Sequence, residues 1–124
     1  MICIEHSEDM EAFFHDALLH YKEGTNAFKD KLPNLTQSFF DFTEACFADG
    51  AIDKKHKQLM ALSVSIYSQD EYCIIYHMKG AVENGASEEE VTEAIGVSAA
   101  LGGGAAFAQG VTLAKDAFEY YSSK

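Results

Sequence analysis

Residues 70–77 are Asp70-Glu71-Tyr72-Cys73-Ile74-Ile75-Tyr76-His77, a segment that places a thiol and an imidazole four residues apart. Side chains at positions i and i+4 of a helix lie on one face, one turn apart. Asp70 precedes Cys73 by three residues, so it falls on nearly the same stripe and also suits the N-cap of a helix. The apolar residues between these positions predict a central, largely buried helix. Asp70, Cys73 and His77 form the one compact set of reactive groups in the sequence.

Amphipathic patterns before this segment predict an all-α protein. Apolar residues recur at helical spacing after Ser7, after Pro33 and after Asp53, and each of these residues suits the start of a helix. Gly24 is expected to end the first helix, with a loop or short helix from there to Pro33. Residues 1–4 are the one candidate strand, because no other stretch alternates convincingly between apolar and polar residues.

The pattern after residue 77 adds two more helices and brings the expected total to about six. Asn84 and Gly85 indicate the end of the central helix. Ser87 and Glu90 have the spacing of a capping box at the start of the next one. The glycines at 102–104 are expected to interrupt that helix or allow close packing. They are not expected to bind phosphate, since no Lys-Ser/Thr pair follows them and no strand precedes them.

Composition indicates a single domain over residues 1–124 that associates with copies of itself. Hydrophobic residues make up 48% of the chain and nine residues are Phe, which is more apolar surface than a monomer of this size readily hides. The stripe formed by Phe39, Phe42 and Phe47 is expected in the core. The formal net charge of −11 argues against nucleic acid and anionic membrane surfaces as partners.

The cysteines indicate a reducing compartment. Cys3, Cys46 and Cys73 form neither a C-x-x-C pair nor a zinc-type pair. Residues 1–20 contain several acids and no long apolar run. We therefore expect a cytoplasmic protein with reduced thiols, with Cys46 in the core. A metal ion or other cofactor is not expected, because the sequence offers no fourth ligand beside Asp70, Cys73 and His77.

Four segments occur in an order that indicates a family. They are Gln58-Leu-Met-Ala-Leu-Ser-Val-Ser65, Cys73-Ile-Ile-Tyr-His77, Gly85-Ala-Ser-Glu-Glu-Glu-Val-Thr-Glu-Ala-Ile95 and Gly102-Gly-Gly104. Over roughly residues 40–120 the chain resembles the alkylhydroperoxidase D-like and carboxymuconolactone decarboxylase-like superfamily, in particular its small single-domain members. This resemblance implies the alkylhydroperoxidase D-like helical fold and a homo-oligomer, either a trimer or a hexamer.

The peroxidase branch of that superfamily is similar in having a glutamate, a C-x-x-C pair and a histidine at fixed spacing. Counted back from His77, the second cysteine falls on Cys73, the first on Asp70 and the glutamate on Gln58. The chain thus keeps two of the four reactive positions, and a disulfide cycle within the motif is impossible. The decarboxylase branch is similar in fold and in a histidine at the position of His77, and it does not depend on the cysteine pair.

Three interpretations of the central face follow. In the working hypothesis, Cys73 attacks a hydroperoxide and becomes a sulfenic acid, with His77 as the acid and base. An external thiol then reduces it, unless the fold brings Cys46 close. In the second, His77 is the base of decarboxylase-like chemistry or the pocket binds a small ligand, with Asp70, Gln58 or Tyr76 orienting it. In the third, the motif is structural.

Opposing influences on the Cys73 thiol leave this choice open. The helix N-terminus and a protonated His77 favour the thiolate. An ionised Asp70 and burial among apolar neighbours favour the neutral thiol. The sequence does not rank these effects.

Overall fold

The computed structural model of the protein describes residues 7–124, which form six α-helices and one π-helical segment and contain no strand. The elements are α1 (Ser7–Lys31), α2 (Pro33–Phe47), α3 (Lys54–Tyr67), α4 (Glu71–Glu83), α5 (Glu88–Gln109), the π-helical segment Gly110–Ala114 and α6 (Lys115–Ser122). The predicted all-α class is confirmed for this part of the chain. The candidate strand at residues 1–4, and Cys3 within it, lie outside the described residues.

The first helix is longer than its sequence predicted. α1 begins at Ser7, continues through Gly24 and ends at Lys31, so the expected stop at Gly24 is wrong. A glycine inside a helix costs only about 1 kcal/mol relative to alanine, which the intact turns on both sides offset. The chain leaves the helix at Leu32 (φ −134°, ψ 69°), because the residue before Pro33 is disfavoured in the α region.

Side-chain caps begin α3, α4 and α5 at the residues that the sequence predicted. Asp53 and Asp70 each accept a hydrogen bond from the backbone amide three residues further on, at the starts of α3 and α4. Ser87 and Glu90 form the complete capping box of α5, with each side chain bonded to the backbone amide of the other residue. The cap at Asp70 fixes where α4 starts and therefore places Cys73 in the first turn of that helix.

The core lies where α4 packs against α3, the last helix and the π-helical segment. Ile74, Ile75 and Met78 of α4 are each at most 2% exposed. Phe14 of α1 is fully buried and stacks on Tyr120 of α6, with ring centroids 5.2 Å apart. The prediction that α4 is the central helix is therefore correct for one of its faces.

The other face of α4 and most of α2 are open to solvent, contrary to the prediction. Tyr72 and Tyr76 on α4 are 40% and 53% exposed, and Phe39 and Phe42 on α2 are 55% and 65% exposed. Cys46, also predicted in the core, is exposed. The reason is that α2 packs along α1 and makes few contacts with α3, so Phe39 and Phe42 stay largely uncovered by the described residues. The space between α2 and α4 holds the candidate site.

The glycines at 102–104 interrupt α5 as predicted. Gly103 has φ 70° and ψ −152°, outside the helical region, and the helix kinks there. A Cβ added to Gly102 would lie 2.7 Å from Cβ of Ala106 and 3.1 Å from the ring of Tyr67. Glycine is therefore required at 102 chiefly by the kinked turn of α5 itself, and it also allows Tyr67 of α3 to approach closely.

A second apolar surface lies on α3 and α5, away from the site. Met60, Val64 and Tyr67 follow one face of α3, while Val97 and Leu101 do the same on α5, and all five are 54–77% exposed.

By length and composition, Glu88–Ser122 taken as one helix is apolar enough to cross a membrane. A single helix of this kind is weak evidence for a membrane protein.

Candidate active site

The candidate site is a pocket of about 650 Å³ where α2, α3 and α4 meet beside α1. We call it the reactive pocket. Its lining consists of Tyr21, Phe39, Phe40, Thr43, Glu44, Phe47, Ala48, Lys54, Gln58, Tyr72, Cys73, Tyr76 and His77. Aromatic side chains form most of the wall, and one acid and one amine are the charged groups. An aromatic pocket with a few polar groups is typical of small-molecule sites.

Four of the five residues predicted from sequence line this pocket. Cys73 and His77 lie one turn apart on α4, Tyr76 is beside them, and Gln58 reaches in from α3. Asp70 is not part of the lining. Its carboxylate lies at the N-cap of α4, where it bonds the backbone amide of Cys73 at 3.2 Å.

Gln58 fixes the orientation of His77. Nδ1 of His77 lies 2.9 Å from Oε1 of Gln58. An amide oxygen only accepts hydrogen bonds, so the contact places the proton on Nδ1 and leaves the Nε2 lone pair free. Gly80 makes room for this contact, because a Cβ there would lie 2.6 Å from Oε1 of Gln58. The sequence placed Gln58 near the site only by resemblance, and it gave no indication of the part that Gly80 plays.

Aromatic rings enclose the imidazole. Phe47 stacks on His77 with centroids 5.4 Å apart and an interplanar angle of 16°, and Tyr76 meets it edge-on at 5.2 Å. Burial lowers the pKa of His77 below its ordinary value of 6.5, and the nearby charge of Asp70 opposes this effect only in part. The imidazole is therefore mainly neutral at neutral pH. Phe47 was expected only as a core residue, since a helical stripe of Phe does not show which side chains border a cavity.

The thiol is also neutral at rest. Burial, together with the hydrogen bond to Asp70 and the negative charge of Asp70, raises the pKa of Cys73 to about 11. Burial and Asp70 therefore both favour the neutral thiol, and the mainly neutral His77 supplies no positive charge to stabilise a thiolate.

No second thiol reaches the pocket from the described residues. Cys46 and Cys73 are both free, and Cys46 is exposed on α2 without contributing to the lining of the reactive pocket. Within residues 7–124, no group of three or more His, Cys, Asp or Glu side chains could hold a metal ion. Among the described residues, Cys73 and His77 are the thiol and the imidazole that line this pocket.

Residues 33–116 match the sequence profile of the carboxymuconolactone decarboxylase family. The chain is 43% identical over 75 residues to uncharacterized protein 4 in the cox locus of Paracoccus denitrificans, which covers 60% of this chain and 68% of that protein. It is 23% identical over 91 residues to an uncharacterized protein of Cupriavidus necator, covering 73% of this chain and 77% of that one.

Solved structures of the same family have a similar fold. The apo form of lpg0406, a carboxymuconolactone decarboxylase family protein from Legionella pneumophila, aligns with a TM-score of 0.85 at 30% identity over 90% of this chain and 98% of that chain. A Thermotoga maritima protein aligns with a TM-score of 0.62 at 26% identity, over 81% of this chain and 94% of that chain. It is described as a carboxymuconolactone decarboxylase family protein "possibly involved in antioxidative response".

Proposed function

The chain belongs to the carboxymuconolactone decarboxylase family, and within that family we propose that it is a thiol-dependent peroxide reductase that uses one cysteine. The observation that carries the proposal is that the Cys73 thiol and the His77 imidazole line the same aromatic pocket. The description of the Thermotoga maritima relative supports the same class of activity.

The first step oxidises Cys73. Nε2 of His77 removes the thiol proton, and the thiolate attacks the terminal oxygen of a hydroperoxide ROOH. The S–O bond forms as the O–O bond breaks, and the departing alkoxide takes a proton from the His77 imidazolium. The products are a sulfenic acid at Cys73 and the alcohol ROH, so the thiol is oxidised and the peroxide is reduced by two electrons.

The second step regenerates the thiol with an external reductant. One molecule of a small thiol attacks the sulfenic sulfur, releases water and leaves a mixed disulfide on Cys73. A second molecule attacks that disulfide and yields the free thiol and an oxidised dimer of the reductant. We assign the reductant to an external thiol because Cys46, the other cysteine among the described residues, does not line the pocket. A cytoplasmic location, where small thiols are abundant, suits this cycle.

Trapping the sulfenic acid tests the proposal. After treatment with cumene hydroperoxide, dimedone is expected to label Cys73, and turnover with dithiothreitol is expected to cease in Cys73→Ser. Cys46→Ser is the matched control, since it removes an exposed thiol that does not line the pocket. Full peroxidase activity in Cys73→Ser would refute the proposal.

A second function is acid–base chemistry on a small lactone or the binding of a small ligand without use of the thiol. The neutral state of Cys73 favours it, because a pKa of about 11 leaves little thiolate at neutral pH. His77 is then the base, held by Gln58, as in a decarboxylase-like reaction. Turnover of a carboxylated lactone that persists in Cys73→Ser and is lost in His77→Gln would favour this function over peroxide reduction.

We further propose that the chain forms a homo-oligomer, a trimer or a hexamer. The proposal is supported by the exposed apolar face of α3 and α5, where Val64 is 66% and Leu101 is 77% exposed. Burial of such side chains is the usual driving force for association. Size-exclusion chromatography with light scattering is expected to give an assembly larger than a dimer, and a stable monomer would contradict the proposal.

A further inference from the structure

A second cavity lies between α1 and α2, next to the reactive pocket. It has a volume of about 550 Å³, and we call it the α1/α2 groove. Its apolar walls are formed by Tyr21, Phe28, Leu35, Phe39, Phe40 and Tyr72. Tyr21, Phe39, Phe40 and Tyr72 also line the reactive pocket, so the two cavities share a wall of aromatic rings. The groove therefore adjoins the reactive pocket, whose lining includes Cys73.

The groove offers apolar surface and no charged side chain. None of its lining residues is Asp, Glu, Lys or Arg. Three of its polar side chains already have partners: the ring of His20 bonds the hydroxyl of Tyr72 at 2.9 Å, and the hydroxyl of Thr36 donates to a backbone carbonyl at 2.7 Å. Phe28 and Leu35 are 50% and 55% exposed, so apolar surface remains for a ligand to cover. Such a surface selects uncharged apolar groups.

Gly24 keeps the groove open from the side of α1. It lines the groove in the middle of a continuous helix, where most other residues would stabilise the helix more. An added Cβ would meet no atom within 4 Å, so packing within the chain does not require glycine there. A larger side chain at this position would occupy space that is now part of the groove.

We infer that the α1/α2 groove binds the uncharged apolar chain of an organic hydroperoxide whose reacting end lies at Cys73. The volumes of the groove and of the reactive pocket, about 550 Å³ and 650 Å³, are each in the range of small-molecule sites. The inference rests on the proposed function for the identity of the reacting end, while apolar binding in the groove is measurable without any reaction. The protein then prefers hydroperoxides with long apolar chains to hydrogen peroxide.

Alcohols test the groove without turnover, because an alcohol is what remains when a hydroperoxide is reduced. Titration calorimetry with n-butanol, n-hexanol and n-octanol is expected to show affinity that rises by up to about fourfold for each methylene buried. From n-butanol to n-octanol the gain is expected to be at least about tenfold, since the groove stays partly open to water. Affinity that does not depend on chain length would overturn the inference.

Variants at Gly24 locate the binding. Gly24→Leu fills the groove and is expected to weaken n-octanol binding about tenfold, while Gly24→Ala adds a single methyl group and is expected to change it less than threefold. Gly96→Ala is the matched control, because Gly96 is also a helical glycine whose added Cβ would meet nothing within 4 Å. Equal n-octanol affinity in Gly24→Leu and wild type would place the alcohol elsewhere and overturn the inference.

Two further measurements distinguish ligand binding in the groove from the proposed function and from coverage of the groove by a second copy of the chain. Cys73→Ser is expected to bind n-octanol like the wild type. If the wild type binds alcohols with chain-length dependence but has no peroxidase activity, the groove assignment is supported and the proposed reductase is refuted. Light scattering is expected to give the same assembly in Gly24→Leu, with or without n-octanol. Dissociation in either case would show that a second copy of the chain covers the groove, and would overturn the inference.

Discussion

Nδ1 of His77 lies 2.9 Å from Oε1 of Gln58, and this contact joins α4 to α3 inside the reactive pocket. The amide holds the ring in one tautomer without adding a charge. A carboxylate at the same position would hold the ring equally well and would also stabilise the imidazolium. A glutamate at position 58 would therefore change the charge of His77, and through it the ionisation of Cys73.

Replacing Gln58 by glutamate is predicted to activate the thiol. In Gln58→Glu the new negative charge raises the pKa of His77, and the imidazolium in turn favours the Cys73 thiolate. Alkylation of Cys73 by iodoacetamide at neutral pH is expected to become about tenfold faster. Gln37→Glu is the control, since Gln37 is exposed on α2 and its amide bonds Asp41 outside the pocket. Equal acceleration in both variants would mean that added charge alone is responsible.

Removing the charge of Asp70 is predicted to lower the pKa of Cys73 from about 11. Asn is as good an N-cap as Asp, so Asp70→Asn keeps the cap of α4 at a cost below about 0.5 kcal/mol. Alkylation of Cys73 is expected to be about tenfold faster than in the wild type at mildly alkaline pH. Asp53→Asn makes the same change at the cap of α3. If Cys73 of Asp70→Asn is alkylated at the wild-type rate, the charge of Asp70 does not contribute and burial alone protects the thiol.

The Cys73 thiol is predicted to make the protein less stable in alkali. Its pKa rises from 9.0 to about 11 on folding, so in this window the unfolded chain releases a proton that the folded protein retains. The stabilisation is complete below pH 9.0 and is lost as the pH rises to about 11. Because the thiol is only partly buried, we expect a loss of about 1 kcal/mol.

Urea unfolding at both ends of that window measures this loss. Cys73→Ala removes the titrating group, so the wild type is expected to lose about 1 kcal/mol more than the variant between them. The tyrosines whose pKa values are also raised, Tyr120 and Tyr121, are present in both proteins and cancel in the comparison. An identical loss in the two proteins would contradict the assignment.

Alanine at position 103 is predicted to destabilise the protein. Gly103 has φ 70° and ψ −152°, a conformation that side chains rarely adopt, so Gly103→Ala is expected to cost about 1–3 kcal/mol in the free energy of unfolding. Gly104→Ala is the matched control, because an added Cβ at Gly104 would meet nothing within 4 Å and its φ is not positive. Chemical denaturation of both variants checks the difference, and equal stabilities would show that the kink relaxes.

The features of the fold that depend on local sequence patterns could be predicted. The caps at Asp53, Asp70 and Ser87, the break at Gly103 and the helical class all follow from rules that span a few residues. Pairing of Cys73 with His77 on one face follows from helix periodicity alone.

What the sequence did not reveal depends on where helices lie relative to one another. Periodicity shows that Phe39 and Phe42 share a face, but not that residues 7–124 leave this face largely exposed. The stacking of Phe47 on His77 joins two helices that are far apart in sequence. Likewise, the charge state of Cys73 depends on how deeply the helix face is buried, which a single sequence does not encode in any local pattern.

The light packing of α2 also has a dynamic consequence. Thr36 is the one fully buried residue of α2, whereas α4 buries Ile74, Ile75, Met78 and Ala81. Helices held by so little buried surface separate from the rest of a protein at low free-energy cost. Amide protons of α2 are therefore expected to exchange with deuterated solvent much faster than those of α4. The wall that carries Phe47 would then open by local fluctuation, and a substrate could enter without a dedicated lid.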